Sequence, residues 1–268
     1  MIIITLTKNS SNTILETIKS LEKQNLKDIY WMILDDQSTD DTISLIKNSK
    51  IKHEIININT KGLFFAYNEA LNILRERKIE DIIFFLHSDD LIYNNDTLQI
   101  VKNKFEEHNI SSLIGNIVYF SENQDKYFRK WKSDFPSKQK KIEQNLFKFS
   151  NFSKKDLIFG WSFPHTSFFF HSKILNNIPK YDENFKTSSD YGWSVEIMLQ
   201  NKFDIFYFDQ FLIKMKSGGT STNLSNFLKQ IISDFKIIKK IFFKHSLDIF
   251  LCCFILFFKK FRKIRQFF

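Results

Sequence analysis

Two neighbouring carboxylates, Asp89 and Asp90, are the residues of this chain best suited to do chemistry. They are the third and fourth residues after the apolar run 82–86. A buried parallel strand that ends in adjacent acids presents oxygen ligands to a divalent ion and to a phosphate group. The pattern therefore indicates nucleotide chemistry, with a solvated acidic turn as the simpler alternative.

Two residues near this pair are assigned structural roles. Asp96 immediately precedes the helical pattern that begins at Thr97, so we expect it to be an N-cap and not a ligand. His87 lies beside the acids, but a lone histidine at a strand end is more often structural. We therefore leave His87 outside the predicted site.

A second acidic pair, Asp35 and Asp36, ends another apolar run. Ser38 and Asp40 follow it and are suited to cap the next helix. The pair itself lies where open α/β sheets bind their ligands, at the carboxyl end of a strand. A carboxylate there can accept hydrogen bonds from a base N–H or from ribose hydroxyls.

The elements that must position these acids are short apolar runs that alternate with amphipathic helical patterns. The predicted strands are 2–6, 30–35, 53–58 and 82–86, and the predicted helices are 12–24, 41–48 and 63–77. Such a βα alternation predicts an α/β fold whose mostly parallel, Rossmann-like sheet carries helices on both faces. A chain of 268 residues is long enough for one such domain and an appendage.

These segments, in this order, resemble glycosyltransferase family 2, the inverting, nucleotide-sugar-dependent enzymes of GT-A fold. The resemblance covers roughly residues 1–222. It is carried in this half of the chain by residues 5–9 (TLTKN), 34–42 (LDDQSTDDT), 61–68 (KGLFFAYN) and 88–90 (SDD). Lys8 stands where an aromatic residue is common, and Gln37 and Asp41 replace glycines of the family pattern.

The resemblance implies a GT-A domain over 1–226, divided into a nucleotide-sugar half (1–115) and an acceptor half (116–226). It implies a nucleotide-binding set of Thr5, Thr7, Asp35, Asp36, Asn68 and Asp89. It also implies that Asp90 coordinates Mg²⁺ or Mn²⁺ across the donor diphosphate. A preplaced cation stabilises the charge that builds on the departing phosphate oxygen.

On the acceptor side, the segments 163–170, 181–185 and 188–193 are similar to the family's later motifs. By that resemblance Asp190 is the catalytic base, which takes the proton from the attacking acceptor hydroxyl. Ser189 precedes it and Glu196 follows it, where the family often has glutamate and arginine. The alternative is that Asp190 only caps a helix over 191–200.

Two further parts of the acceptor half complete the predicted site. His165 is assigned to the acceptor pocket, with a core histidine as the alternative. Gly218, Gly219 and Ser221 resemble a loop that closes over the donor diphosphate, because glycines let backbone N–H groups approach phosphate oxygens. A plain hinge into the tail is the competing interpretation of that loop.

The carboxy-terminal segment 227–268 carries most of the chain's net positive charge. The net charge of the chain is +9. From residue 228 onward there are ten lysines and arginines but only two aspartates. One side of the predicted amphipathic helix is apolar, with Leu228, Ile231, Ile232, Phe235, Ile238 and Phe242. The opposite side carries Lys229, Lys236, Lys240 and Lys244. This pattern favours a helix lying on an anionic membrane surface, and the alternative is packing on its own domain or on a partner subunit.

The apolar run 249–258 that follows is too short to span a bilayer, so we expect it to dip into the interface. Nucleic acid is not an expected partner, because the aromatic residues form one uninterrupted apolar block. Cys252 and Cys253 are adjacent and indicate no disulfide framework. We therefore expect a cytoplasmic domain on the inner face of the cell membrane.

Taken together, the sequence predicts an inverting, metal-dependent transfer of a sugar from a nucleotide-sugar to a lipid-linked or surface-glycan acceptor, such as a precursor of capsule, lipopolysaccharide or exopolysaccharide. One alternative is a nucleotidyltransferase, although residues 5–13 lack its glycine-rich loop. The other is a degenerate domain retained as a membrane-bound assembly partner, but Asp90 and Asp190 are both present.

Overall fold

The fold is described from a computed structural model of the chain. It describes residues 1–59, 62–121, 124–133, 139–149, 162–217 and 227–245, together with residue 255. The loop residues Gly218, Gly219 and Ser221 lie outside these ranges, as does nearly all of 246–268.

The elements alternate as predicted through the first half of the chain. The strands are β1 (Ile2–Thr7), β2 (Tyr30–Asp35), β3 (Lys52–Asn57), β4 (Ile82–Phe85), β5 (Leu91–Ile92), β6 (Ser112–Ser121), β7 (Gln124–Trp131), β8 (Gln139–Glu143), β9 (Leu146–Phe149), β10 (Phe168–His171) and β11 (Phe206–Lys216). The helices are α1 (Ile14–Glu22), α2 (Thr42–Lys47), α3 (Leu63–Arg77), α4 (Thr97–His108), α5 (Ser189–Gln200) and α6 (Phe227–Lys244).

The first four long strands form a parallel sheet in the order β3-β2-β1-β4. Its residues alternate between two cores, since Ile2 and Ile4 of β1 pack on one face while Ile3 packs on the other. One core receives α3, α5 and α6, and the other receives α1, α2 and α4. The predicted α/β class, with helices on both faces of a parallel sheet, is confirmed.

The second half extends the same sheet with mixed pairing, which the βα alternation did not predict. The order continues β4-β10-β6-β11-β9-β8, and of these pairs β6 and β11 are parallel while the others are antiparallel. Because β10 joins β4 to β6, the two halves share one continuous sheet. His87, which follows the carboxyl end of β4, and Asp190, in the first turn of α5, thereby line the same cavity.

The tail helix α6 packs on its own domain, which was the alternative to the membrane surface. Ile238 and Phe242, which the sequence prediction turned toward a membrane, are 0% and 2% exposed and belong to the core around α5. Assigning these two residues to a membrane face was wrong, because an apolar stripe specifies burial but not the partner. The outward face of α6 carries Lys236 and Lys239, with Phe243 83% exposed beside them. Within the ranges given above, no helix is both long and apolar enough to cross a bilayer.

Candidate active site

The donor-side acids lie together because their strands are parallel neighbours. β1 pairs with β2 on one side and with β4 on the other, so the residues that follow these strands meet at one edge of the sheet. A hydrogen bond of 2.9 Å between the hydroxyls of Ser10 and Ser88 joins the turn after β1 to the turn after β4.

Asp35 and Asp36 end β2 in different surroundings. Asp35 is 2% exposed, and its carboxylate accepts hydrogen bonds from the Ser38 backbone N–H at 2.9 Å and from the Ser38 hydroxyl. Asp36 forms an ion pair with Lys8 at 2.9 Å. Ser38 therefore supports Asp35 and does not cap α2, whereas Asp40 accepts from the backbone N–H of Thr42 at the start of that helix.

The two threonines of β1 that were predicted to bind nucleotide are both buried. The Thr5 hydroxyl is 0% exposed and accepts a hydrogen bond from the Trp31 indole at 2.9 Å. The Thr7 hydroxyl, at the carboxyl end of the strand, has no hydrogen-bond partner among the residues that the structure describes. The structure thus gives the Thr5 side chain a packing role, and a nucleotide contact by either threonine stays a prediction.

Asn68 also has a structural role that the sequence did not reveal. Its amide accepts a hydrogen bond from the Tyr181 N–H at 2.8 Å and donates to the Tyr181 carbonyl at 2.9 Å and to Glu183 at 2.7 Å. Asn68 is 3% exposed. It therefore joins α3 to the segment before α5, and its amide is already occupied where the resemblance implied a nucleotide contact.

Asp89 and Asp90 lie with His87 in one compact group. The nearest ligand atoms of the three side chains all lie within 4.8 Å of one another. Asp90 is 1% exposed, and one of its oxygens lies 3.3 Å from the Lys216 N–H, next to the predicted loop. Burial, followed by the Asp90 charge, raises the pKa of Asp89.

A divalent ion fits this group on the evidence of Asp90 itself. Its Oδ2 is buried and has no hydrogen-bond partner in the described part of the chain, although His87 Nδ1 lies 3.2 Å away. A buried carboxylate oxygen without a hydrogen bond is costly unless a cation or a ligand completes it. Carboxylate oxygens are the ligands that Mg²⁺ and Mn²⁺ accept.

The helix starts assumed for two other acids also differ from the prediction. Asp96 occupies the N-cap position of α4, but its carboxylate contacts Asn25 and makes no capping hydrogen bond. α5 begins at Ser189, so Asp190 lies inside its first turn and is not the cap. The residue before the helix, Ser188, has a left-handed backbone with φ of 69°.

A polar network of three rings connects the donor-side acids with Asp190. The Tyr67 hydroxyl lies 2.8 Å from His87 Nε2 and 3.2 Å from His165 Nε2, and these two nitrogens are 3.2 Å apart. His165 Nδ1 lies 3.8 Å from Asp190 Oδ2. His165 therefore lies in one network with Asp190, and His87 joins this network to Asp90.

Burial and the charges around this network shift the pKa values of its two histidines in opposite directions. Burial opposes a charged His87, but the neighbouring carboxylates, Asp90 first, outweigh it and raise the pKa of His87. Burial, followed by the charge on His87, lowers the pKa of His165 well below its usual value. Burial and the nearby Asp190 hold the Tyr67 pKa well above its usual value, so this hydroxyl keeps its proton.

A cavity of about 250 Å³ opens over this network. His87 and His165 line its floor on the donor side, and Asp190 lines it from α5. The Asp190 side chain is 46% exposed. The rest of the cavity wall is formed by aromatic rings and charged groups, which are Tyr119, Arg129, Trp131, Lys186, Tyr191 and Asp234. A cavity with a few convergent polar groups among apolar and aromatic side chains is suited to a small ligand.

The sequence analysis missed His87 and Tyr67. His87 precedes the predicted metal ligand Asp90 by three residues, and this short spacing was the one feature of the sequence that could have pointed to it. Tyr67 immediately precedes Asn68 and lies 98 residues from its partner His165, so only the tertiary fold identifies it.

Acids at the carboxyl ends of parallel strands, joined through a polar network to a further carboxylate at a cavity, are typical of nucleotide-binding α/β proteins such as those of GT-A fold. Residues 2–175 match the sequence pattern of the family described as glycosyl transferase family 2. The chain belongs to this family, as the resemblance implied. Comparison with curated proteins gave no match.

Solved structures of similar fold support the same classification. TarS 1–349 of S. aureus, in complex with UDP-GlcNAc, is 20% identical with a TM-score of 0.62, over 90% of this chain and 66% of that one. The longer TarS structure has a TM-score of 0.60 at 20% identity, and the match covers 90% of this chain but only 39% of that one. The mannosyltransferase PcManGT from Pyrobaculum calidifontis, in complex with GDP-Man and Mn²⁺, is 14% identical with a TM-score of 0.57, over 96% and 68%. At these identities the likeness shows the fold.

Proposed function

We propose that this protein transfers a sugar, with inversion and with the help of a divalent ion, from a nucleotide-sugar to a hydroxyl of a glycan or lipid-linked acceptor. The observation that carries the proposal is the His87–Tyr67–His165 network, which lies 3.2 Å from Asp90 at one end and 3.8 Å from Asp190 at the other, with Asp190 lining the cavity over the network. The similar folds bind UDP-GlcNAc and GDP-Man, which supports a nucleotide-sugar donor.

On the donor side, Asp90 and Asp89 hold the ion and the diphosphate in this proposal. The ion, when bound, supplies positive charge at the phosphate oxygen that leaves. Asp35 fits a role in recognising the nucleoside, because Ser38 fixes its carboxylate at the end of β2. Because the Asp35 carboxylate is already held in one orientation, little further conformational entropy would be lost when it accepts a hydrogen bond from a nucleoside.

On the acceptor side, Asp190 is the proposed base. Inversion requires a carboxylate that takes the acceptor proton on the sugar face opposite the departing nucleotide. Asp190 lies in the first turn of α5, where the partial positive charge of the helix N-terminus attracts a carboxylate. His165 lies 3.8 Å from Asp190, beyond direct hydrogen-bond distance, and limits the directions that an acceptor hydroxyl can approach from.

Asp90→Asn and Asp190→Asn separate the two halves of the proposal. Asp90→Asn should lose the metal-dependent rise in melting temperature that a nucleoside diphosphate gives, and Asp190→Asn should keep it. Both should lose most sugar transfer, with general-base loss expected to cost roughly 10²–10⁴-fold. Asp204→Asn, at a carboxylate ion-paired with Lys148 on the surface, is the matched control. A wild-type chain that binds no nucleoside diphosphate would favour the degenerate partner instead.

We also propose that the segment 227–268 holds the protein on the inner face of the cell membrane. The support is the outward face of α6, where Lys236, Lys239 and the 83% exposed Phe243 lie together. Each basic residue near an anionic surface contributes about 1 kcal/mol. Lys236→Glu with Lys239→Glu should therefore release the protein from anionic vesicles in a sedimentation assay, whereas Lys27→Glu with Lys47→Glu should not. Equal pelleting of both double variants would count against the membrane role of α6.

A further inference from the structure

We propose that His87 is a third protein ligand of the divalent ion, through its Nδ1, and that this imidazole gives the site a preference for Mn²⁺ over Mg²⁺. The inference rests on the proposed function, because it concerns the ion assigned to Asp89 and Asp90. It adds a nitrogen ligand to a site that the sequence presented as purely acidic.

The spacing of the three side chains fits one ion. His87 Nδ1 and Asp90 Oδ2 are 3.2 Å apart. Two neighbouring ligands at about 2.1 Å from an octahedral ion are separated by about 3.0 Å. The Asp89 carboxylate completes a group whose ligand atoms lie within 4.8 Å of one another, so a small side-chain rotation brings all three to the ion.

The contact between His87 and Asp90 does not satisfy Asp90 by itself. Although the two atoms are 3.2 Å apart, Asp90 Oδ2 has no hydrogen-bond partner within the described ranges and is buried in a residue that is 1% exposed. At 3.2 Å, His87 Nδ1 and Asp90 Oδ2 are separated as two neighbouring ligands of a shared ion would be. An ion between them gives each lone pair a partner.

The other nitrogen of His87 has the partner that a metal-bound histidine needs. Histidine ligands usually donate the remaining ring N–H to a neighbouring acceptor, which fixes the ring orientation. Here Nε2 lies 2.8 Å from the Tyr67 hydroxyl oxygen. With Nδ1 on the ion, Nε2 carries the proton and donates it to Tyr67, and the Tyr67 hydrogen remains available to His165 Nε2 at 3.2 Å. Every polar atom of this chain of contacts is then satisfied.

The ligand set decides which ion is favoured. Mg²⁺ takes oxygen ligands and keeps several waters, whereas Mn²⁺, although it also binds oxygen, is a transition-metal ion that accepts an imidazole nitrogen more readily. Replacing an oxygen position by His87 should therefore strengthen binding of Mn²⁺ relative to Mg²⁺. His87→Asp should reduce that preference, because it replaces the nitrogen ligand by an oxygen ligand.

The test is Mn²⁺ binding to the full chain, followed by electron paramagnetic resonance, without any sugar transfer. Wild type should show nitrogen hyperfine coupling from a bound imidazole. His87→Asn should lose this coupling and bind Mn²⁺ at least about tenfold more weakly, since even indirect partners of metal ligands contribute about tenfold to a hundredfold. His53→Asn, at a histidine of β3 whose Nδ1 contacts the Ile51 carbonyl, is the matched control and should behave as wild type.

Tyr67→Phe provides a second measurement that does not remove the ligand. It should retain the nitrogen coupling but weaken Mn²⁺ binding, because Nε2 loses its acceptor. Nitrogen coupling that is absent from wild type, or that survives His87→Asn, would overturn the proposal. If Asp90→Asn abolishes Mn²⁺ binding while His87→Asn leaves it unchanged, His87 is not a ligand and the proposed function still stands. If Asp90→Asn has no effect either, the metal site itself is refuted.

Discussion

Gly192→Ala tests the close packing of α5 on α6 through a change of a single methyl group. A Cβ added at Gly192 would lie 2.7 Å from Ile237 Cγ1 and closer still to Ile237 Cδ1. Ile237 is 2% exposed, so its side chain has little room to move away. Overpacking of this kind costs typically about 1–3 kcal/mol.

Helix propensity acts in the opposite direction at the same position. Alanine is favoured over glycine in a helix by about 0.8–1 kcal/mol. The expected net change in the free energy of unfolding is therefore between nearly zero and a loss of about 2 kcal/mol in the wild-type background. In an Ile237→Ala background, where the clash is gone, Gly192→Ala should instead stabilise by about 1 kcal/mol.

Denaturant unfolding of the four chains of this double-mutant cycle measures the difference. The expected coupling between the two positions is about 1–3 kcal/mol, which exceeds the error of the method. Equal stabilisation by Gly192→Ala in both backgrounds would show that Ile237 does not face Gly192. The docking of α6 on its own domain would then be refuted, and the membrane-facing orientation of its apolar stripe would become the better description.

Two further outcomes are expected from buried polar groups. Asn68→Asp should destabilise the protein by about 1–3 kcal/mol in denaturant unfolding, because it removes both donated hydrogen bonds and places a second carboxylate against Glu183; unchanged stability would show that the amide does not join the two halves. Burial alone would raise the pKa of Glu196, but Lys244, Gln200 and His245 outweigh it and lower that pKa. Glu196 thus stabilises the fold above its unfolded pKa near 4.5, and the contribution is lost as the pH falls through the lower folded value. Glu196→Gln should therefore be less stable than wild type at pH 7 and approach it at about pH 3, and a difference independent of pH would contradict this assignment.

The first half of the fold was predictable because its signals are local. Apolar runs and helical periodicity in residues 1–86 set the strands and helices to within about two residues, and parallel pairing then placed Asp35 and Asp89 at one edge. The mixed pairing beyond β4 has no such signal, since an antiparallel strand such as β10 has the same short apolar pattern as a parallel one. Periodicity likewise predicted that α6 buries one face, but not that α5 covers it.

The site was predictable where a residue's chemistry is unusual for its position, and not where it depends on distant partners. Adjacent acids after a buried strand marked Asp89 and Asp90 as candidates, and the structure groups them with His87. Asn68 looked equally functional, yet its amide is occupied by a segment 113 residues away. A single sequence does not distinguish a polar side chain that binds a ligand from one that satisfies a buried backbone.

The network of His87, Tyr67 and His165 shows why the two halves of the site depend on each other. The three polar atoms lie within 3.2 Å of one another, so each hydrogen bond restricts the direction of the next. The Tyr67 hydroxyl has one hydrogen and can donate to only one of the two nitrogens. If His87 donates to Tyr67, then His165 Nε2 accepts from Tyr67, and His165 Nδ1 carries the hydrogen that points toward the Asp190 side. The hydrogen positions on the two histidines therefore depend on each other through the single hydroxyl hydrogen of Tyr67.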